Sequence, residues 1–197
     1  MNARAYLRIL PMCLLGLAAF PVGSRGHKLA GAPKATDGKR VYTGTATGIG
    51  GELGHASYKF TLEITGETTS QDIQQYSQVL ATKGPDEMLK TMGPNKLGTF
   101  TLEGFPGHEL NFVQTRPEEK GRSITMLCER WIHTFDLPGA VKSKEYPFTY
   151  IELFINDNGK GDGSLVTAAK IEFKNNIADV TEFGSFPARL NDVQLQK

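Results

Sequence analysis

Cysteine is almost missing from this 197-residue chain, which holds only Cys13 and Cys128. Cys13 lies within a leader-like segment, so removal of that segment leaves Cys128 alone. No internal disulfide is then possible, and the fold must rest on its core. Histidine is sparse too: His27, His55, His108 and His133. None pairs with another at ligand spacing and no H-E-x-x-H is present, so no zinc pattern is offered. The chain also lacks a G-x-S-x-G elbow, a P-loop and an S-x-x-K motif. Gly48-Ile49-Gly50-Gly51 fails the spacing of a dinucleotide fingerprint and reads as a loop. No cofactor and no metal is therefore expected.

Charge of one sign is likewise absent, with 22 basic against 21 acidic residues and no long like-charge run. A nucleic-acid or anionic-membrane binder needs clustered positive charge, so no nucleic-acid partner is expected. The longest apolar run, Ile9 to Val22, has 14 residues, too short to span a bilayer easily. With Arg4 and Arg8 before it and Gly23-Ser24 after it, it reads as a secretory signal over residues 1–24. An uncleaved anchor is the alternative. Residues 25–39, basic and rich in Gly, Ala and Pro, read as a flexible lead-in to one β-rich domain over 40–197. Export to the periplasm or beyond is expected, with no membrane span once the signal is cleaved.

What the sequence does contain is alternation and turns, with 22 Gly and 10 Pro. Tyr58, Phe60, Leu62 and Ile64 share one face of a strand and Lys59, Thr61 and Glu63 the other. The period then changes. Thr69 or Ser70 caps a helix through Thr82, carrying Ile73, Tyr76, Val79 and Leu80 on one stripe. Pro85 opens a second helix, Asp86 to Met92. Strand patterns resume at Leu97, with a hairpin expected from Glu109–Arg116 and Gly121–Ile132.

The strongest signal is Tyr146 to Phe173. Thr149, Ile151, Leu153 and Ile155 alternate with Phe148, Tyr150, Glu152 and Phe154, so both faces are apolar and the strand is expected to be central. Asn156 to Gly163 reads as a turn. Its Asp and Asn residues invite a calcium reading, but the spacing of a calcium loop fails. About nine strands result, almost all joined by short turns.

The polar candidates are few. Arg130, Trp131 and His133 cluster at a strand end, where an aromatic floor beside cations suits a ligand pocket. The plainer reading is a Trp capping the core and an Arg paired with a carboxylate. Glu152 and Lys170 interrupt otherwise apolar strands. If buried, each needs a partner, and they can pair with each other or with Arg122 or Arg130.

The chain resembles a family of small secreted bacterial proteins. Their "DYPFxxIELxLDxxGxGEGxLxxAxKI" pattern is matched by Glu145-Tyr146-Pro147-Phe148, Ile151-Glu152-Leu153, Gly159, Gly161-Asp162-Gly163, Leu165, Ala169, Lys170 and Ile171. "GRRI" is matched by Gly121-Arg122-Ser123-Ile124, and "ENYxxxPVxLxNV" by Glu182-Phe183, Pro187-Ala188, Leu190 and Asn191-Asp192-Val193. The likeness runs from about Ala56 to the C-terminus. It departs at Met126–Ile132, where "LATDRPI" is replaced apart from Arg130. The resemblance implies export and a compact domain, and no activity.

The expected fold is mainly β: an antiparallel sandwich or small barrel with two short helices packed on it. The expected function is a non-enzymatic module that binds a small molecule or a cell-envelope component. The alternatives are a structural or protein-interaction role at the envelope, and a hydrolase using carboxylates. The candidate binding residues are Arg122, Arg130, Trp131, His133, Glu152 and Lys170; no catalytic residue is named.

Overall fold

Alternation decides most of the architecture. The computed structural model describes residues 38–48, 56–130 and 145–196. The expected leader and most of the lead-in, and the candidates Trp131 and His133, lie outside them. The elements run β1 (Arg40–Thr47), β2 (Ser57–Ile64), α1 (Ser70–Lys83), α2 (Pro85–Met92), β3 (Gly98–Leu102), β4 (His108–Leu110), β5 (Phe112–Glu118), β6 (Gly121–Glu129), β7 (Phe148–Ile155), β8 (Lys160–Lys174), β9 (Ile177–Phe183) and β10 (Ala188–Gln196). In β2 the face with Phe60, Leu62 and Ile64 is buried and Lys59 is exposed, as the alternation requires.

Every pairing is antiparallel, in the order β4-β3-β2-β1-β10-β8-β7-β6-β5, with β9 paired to β8 off this path. β1 joins β10 with Val41 opposite Gln196. The two ends of the path, β4 and β5, are neighbours in the chain with only Asn111 between them. The Asn111 backbone N–H donates to Leu127 O on β6 at 3.0 Å. The sheet thus curls until its first and last strands meet through one residue. Every strand except β9 sends side chains into one common core, from Tyr42 on β1 to Val193 on β10. That is the inside of an open, barrel-like sheet. The split at Asn111 also corrects the expected strand over Glu109–Arg116, which is two strands, making ten among the described residues.

A second core lies outside the curl. Ile73 and Tyr76 of α1 and Met88 and Met92 of α2 pack on Phe112, Leu127, Phe148, Tyr150 and Val166. At about 1.5–3 kcal/mol for each large apolar side chain buried, this layer is a substantial part of the stability. Thr69 caps α1, its Oγ1 accepting from Asp72 N at 3.1 Å. Gly84, at φ 85°, turns the chain into α2. β7 serves both cores, with Ile151, Leu153 and Ile155 inward and Phe148 and Tyr150 outward. Among the described residues, no helix is long and apolar enough to cross a membrane.

β8 begins earlier than expected. Asn156–Gly159 alone makes the turn, Asn156 Oδ1 accepting from Asn158 N at 2.9 Å and Lys160 N at 3.1 Å. The glycines after it are strand residues. A Cβ on Gly161 would lie 1.7 Å from Phe154 O, and one on Gly163 2.1 Å from Glu152 O. Glycine here lets neighbouring backbones approach closely where the sheet coils. β8 pairs with β10 through its first residues and with β9 through its last, so its far half leaves the barrel as an arm. The arm ends in Asn175 and Asn176, both at positive φ, and Asn176 O accepts from Gln114 Nε2 on β5 at 2.9 Å.

Candidate functional site

The sequence-derived candidates among the described residues do not converge. Arg122 lies on β6 opposite Ile155, on the inward face shared with Ile124 and Met126. Arg130 lies just past the other end of the same strand, its N–H donating to Pro147 O at 2.9 Å. Eight residues of strand separate the two arginines by about 27 Å. Lys170 stands on the arm, where its Nζ donates to Glu182 Oε1 at 2.8 Å. Glu152 lies on the outer face of β7. Neither Glu152 nor Lys170 is buried: their side chains are 41% and 52% exposed. The helices that cover Phe148 and Tyr150 stop short of Glu152, and Lys170 sits where β8 has left the barrel wall.

Lys170 and Glu182 illustrate a surface pair. The hydrogen bond and charge of Glu182 raise the Lys170 pKa, and Lys170 lowers that of Glu182. Tyr146 OH adds a contact to Glu182 Oε2 at 3.3 Å. Both groups are solvated, so the pair tethers the arm lightly.

The described candidate with a polar, concave setting is Glu152. Three successive rungs cross the outer face of β5, β6, β7 and β8. The first is Phe112, Leu127, Tyr150 and Val166, which the helices cover. The second is Gln114, Thr125, Glu152 and Ser164, and the third Arg116, Ser123, Phe154 and Asp162. Within two rungs the surface passes from apolar and covered to polar and open. From these two rungs Arg116, Ser123, Glu152, Phe154, Asp162 and Ser164, with Glu118 and Gly163, line a groove of about 310 Å³.

Within it, Arg116 Nη2 donates to Ser123 Oγ at 3.3 Å, and Ser123 Oγ donates to Glu152 Oε1 at 3.3 Å. Arg116 Nη2 and Glu152 Oε1 stand 3.8 Å apart, beyond a good charge-assisted hydrogen bond. Arg116 Nε and Gln114 Oε1 are buried and find no hydrogen-bond partner in the protein. Unsatisfied buried polar atoms are costly unless something completes them. Phe154 is 42% exposed at the same place. In the covered rung next to Glu152, burial pushes the Tyr150 hydroxyl well above its ordinary range, and the nearby Glu152 charge adds to that shift. Tyr150 therefore stays a neutral phenol.

Arg116, Phe154 and Asp162 are missing from the sequence-derived set. Each is unremarkable in its own strand, and register across four strands brings them together. One local signal was available: Phe154, a large apolar residue on the same face as Glu152, stands at the end of the strand.

A second polar cluster closes the Arg122 end of the barrel. Arg40 Nη2 lies 2.6 Å from Glu67 Oε1, and Thr115 Oγ1 donates to the same oxygen at 2.8 Å. Tyr42 lies fully buried inside the same end. Its hydroxyl is pushed up by burial, partly opposed by Arg40 and Arg122. With Arg40 already paired to Glu67, this cluster reads as a seal. Among the described residues, no three His, Cys, Asp or Glu side chains gather as a metal site. The chain matches no protein-family model, no curated protein and no solved structure.

Proposed function

We propose that this is an exported, non-enzymatic binding module whose ligand is a hydroxyl-rich small molecule or cell-envelope component, held in the groove over β5–β8. The observation that carries the reading is the pair of open rungs. Their Arg116, Ser123, Glu152, Asp162 and Ser164 set donors and acceptors around a half-exposed Phe154, and Arg116 Nε is left unsatisfied. A sugar hydroxyl both donates and accepts, so it matches carboxylate, guanidinium and serine together. The C–H face of a sugar ring packs against the negative face of an aromatic ring. Export is supported by Arg4, Arg8 and the apolar run Ile9–Val22. The likeness to small secreted bacterial proteins points the same way.

The test is an NMR titration of the protein with a panel of neutral sugars and polyols. Saturable shifts at Arg116, Ser123 and Phe154, lost in Arg116→Met, are expected. The absence of saturable binding, or shifts confined to the Arg122 end, would overturn the reading.

A hydrolase is the second reading, because Glu152 and Asp162 are diagonal neighbours on β7 and β8. Diagonal positions stand about 7–8 Å apart, with Cβ atoms somewhat closer, near the spacing of paired glycosidase carboxylates. Both stand on one floor rather than on facing walls, which favours binding. Turnover of chromogenic glycosides, abolished in both Glu152→Gln and Asp162→Asn, would reverse that preference.

A further inference from the structure

Asp162 walls more than one groove. A second groove of about 410 Å³ lies on its other side, over β8 and β10, lined by Lys160, Gly161, Asp162, Asn191, Asp192 and Gln194 among others. The first groove, over β5 to β8, includes the same Asp162. Building on the reading above, we infer that the ligand is a linear, neutral or amino-sugar oligosaccharide. It lies across the strands from β5 to β10, with Asp162 between its subsites.

Three observations support a chain-shaped ligand. The first is span. Going from β5 through β6, β7 and β8 to β10 crosses four strand spacings, about 19 Å. That is room for several sugar residues and far more than one ring covers.

The second is the build of the far groove. β10 is bulged there: Leu190 faces Gly163 and Val193 faces Gly161, so the step that takes two residues on β8 takes three on β10. Asp192 sits in the bulge at φ 52° within a strand. A left-handed non-glycine residue costs free energy, and such residues and bulges concentrate where a side chain is re-aimed for function. The bulge directs Asn191 and Asp192 away from the regular alternation, and Asn191 Nδ2 makes only a long bond to Thr47 Oγ1 at 3.4 Å.

The third is the mode of recognition. β6, β7, β8 and β10 are each paired on both sides, so no backbone edge lies in the floor of either groove to zip onto an extended peptide, and only β5, the end strand of the path, brings an edge to the rim of the first. Across that floor, recognition comes from side chains standing on the sheet. Glu118, Glu152, Asp162 and Asp192 set four carboxylates against Arg116 and Lys160. That balance repels polyuronates and suits hydroxyls, acetamido groups or protonated amines.

The test is calorimetric titration of the protein with gluco- and N-acetylglucosamine oligomers from monomer to hexamer, with a polyuronate series beside them. Affinity is expected to rise about tenfold or more between monomer and tetramer and then level off, with the uronates weakest. Asp192→Gly keeps the left-handed backbone while removing the carboxylate. It is expected to flatten the rise, and Asp192→Asn to restore part of it. A thermal melt confirms that each variant is folded. Affinity that is independent of length, or a rise unchanged in Asp192→Gly, overturns the extended site and leaves the groove reading standing. Binding of peptides and no sugar overturns both.

Discussion

Arg116 and Glu152 face each other across Ser123 on the outer sheet, Nη2 and Oε1 3.8 Å apart, each contacting the serine hydroxyl and neither closing on the other. An ion pair that served stability would be shorter and better satisfied. This one leaves both charges open to a third party.

Glu152→Gln should therefore cost little stability. With the carboxylate 41% exposed, solvent screening limits the loss to about 1 kcal/mol or less, read as a small shift in urea midpoint. A loss of several kcal/mol would recast the trio as a structural brace.

Gly161→Ala should be far worse. The added methyl would sit 1.7 Å from Phe154 O, a backbone atom that moves only if the β7–β8 ladder moves. The expected cost is about 3 kcal/mol, with soluble yield falling alongside. Wild-type stability in this variant would mean that the close strand approach is dispensable.

How much of this could be read in the sequence depended on how local each cause was. The faces of β2 and β7 were legible because water or core on each side leaves its mark every second residue. The helix pair was legible from Thr69, Pro85 and the apolar stripe of α1. The eight-residue turn was misread because Gly161 and Gly163 have the composition of a loop, whereas glycine serves there to admit a neighbouring backbone. The site was mostly illegible. Arg122 and Arg130 are close in sequence, yet an extended strand carries them to opposite ends. Arg116 and Asp162, 46 positions apart in the chain, line one groove through three strand pairings.

His108 should make the fold acid-sensitive. Burial lowers its pKa from the ordinary 6.5. The unfolded chain then binds the proton more readily than the folded one. Its contribution to stability is intact above the unfolded pKa and is lost as pH falls through the folded value. The melting temperature should drop on moving from pH 7 toward pH 5, and His108→Asn should flatten that part of the profile. An unchanged slope would assign the acid response to carboxylates.

Tyr150 should act at the other extreme. Its pKa is raised by burial, so the folded state holds the proton after the unfolded chain has released it near 10. The stability involved is present below pH 10 and declines as pH rises beyond it. Tyr150→Phe should blunt alkaline unfolding, followed by circular dichroism between pH 9 and 12. An identical alkaline midpoint would show that Tyr150 is not the group responsible.

The pairing of Val41 with Gln196 has a mechanical consequence. In an antiparallel pair, the start of β1 and the end of β10 leave the sheet side by side. Tension applied between residues 40 and 196 would open their ladder one rung at a time, as a zipper, rather than shear all rungs together. The wall of the barrel would then part between β1 and β10 under low force.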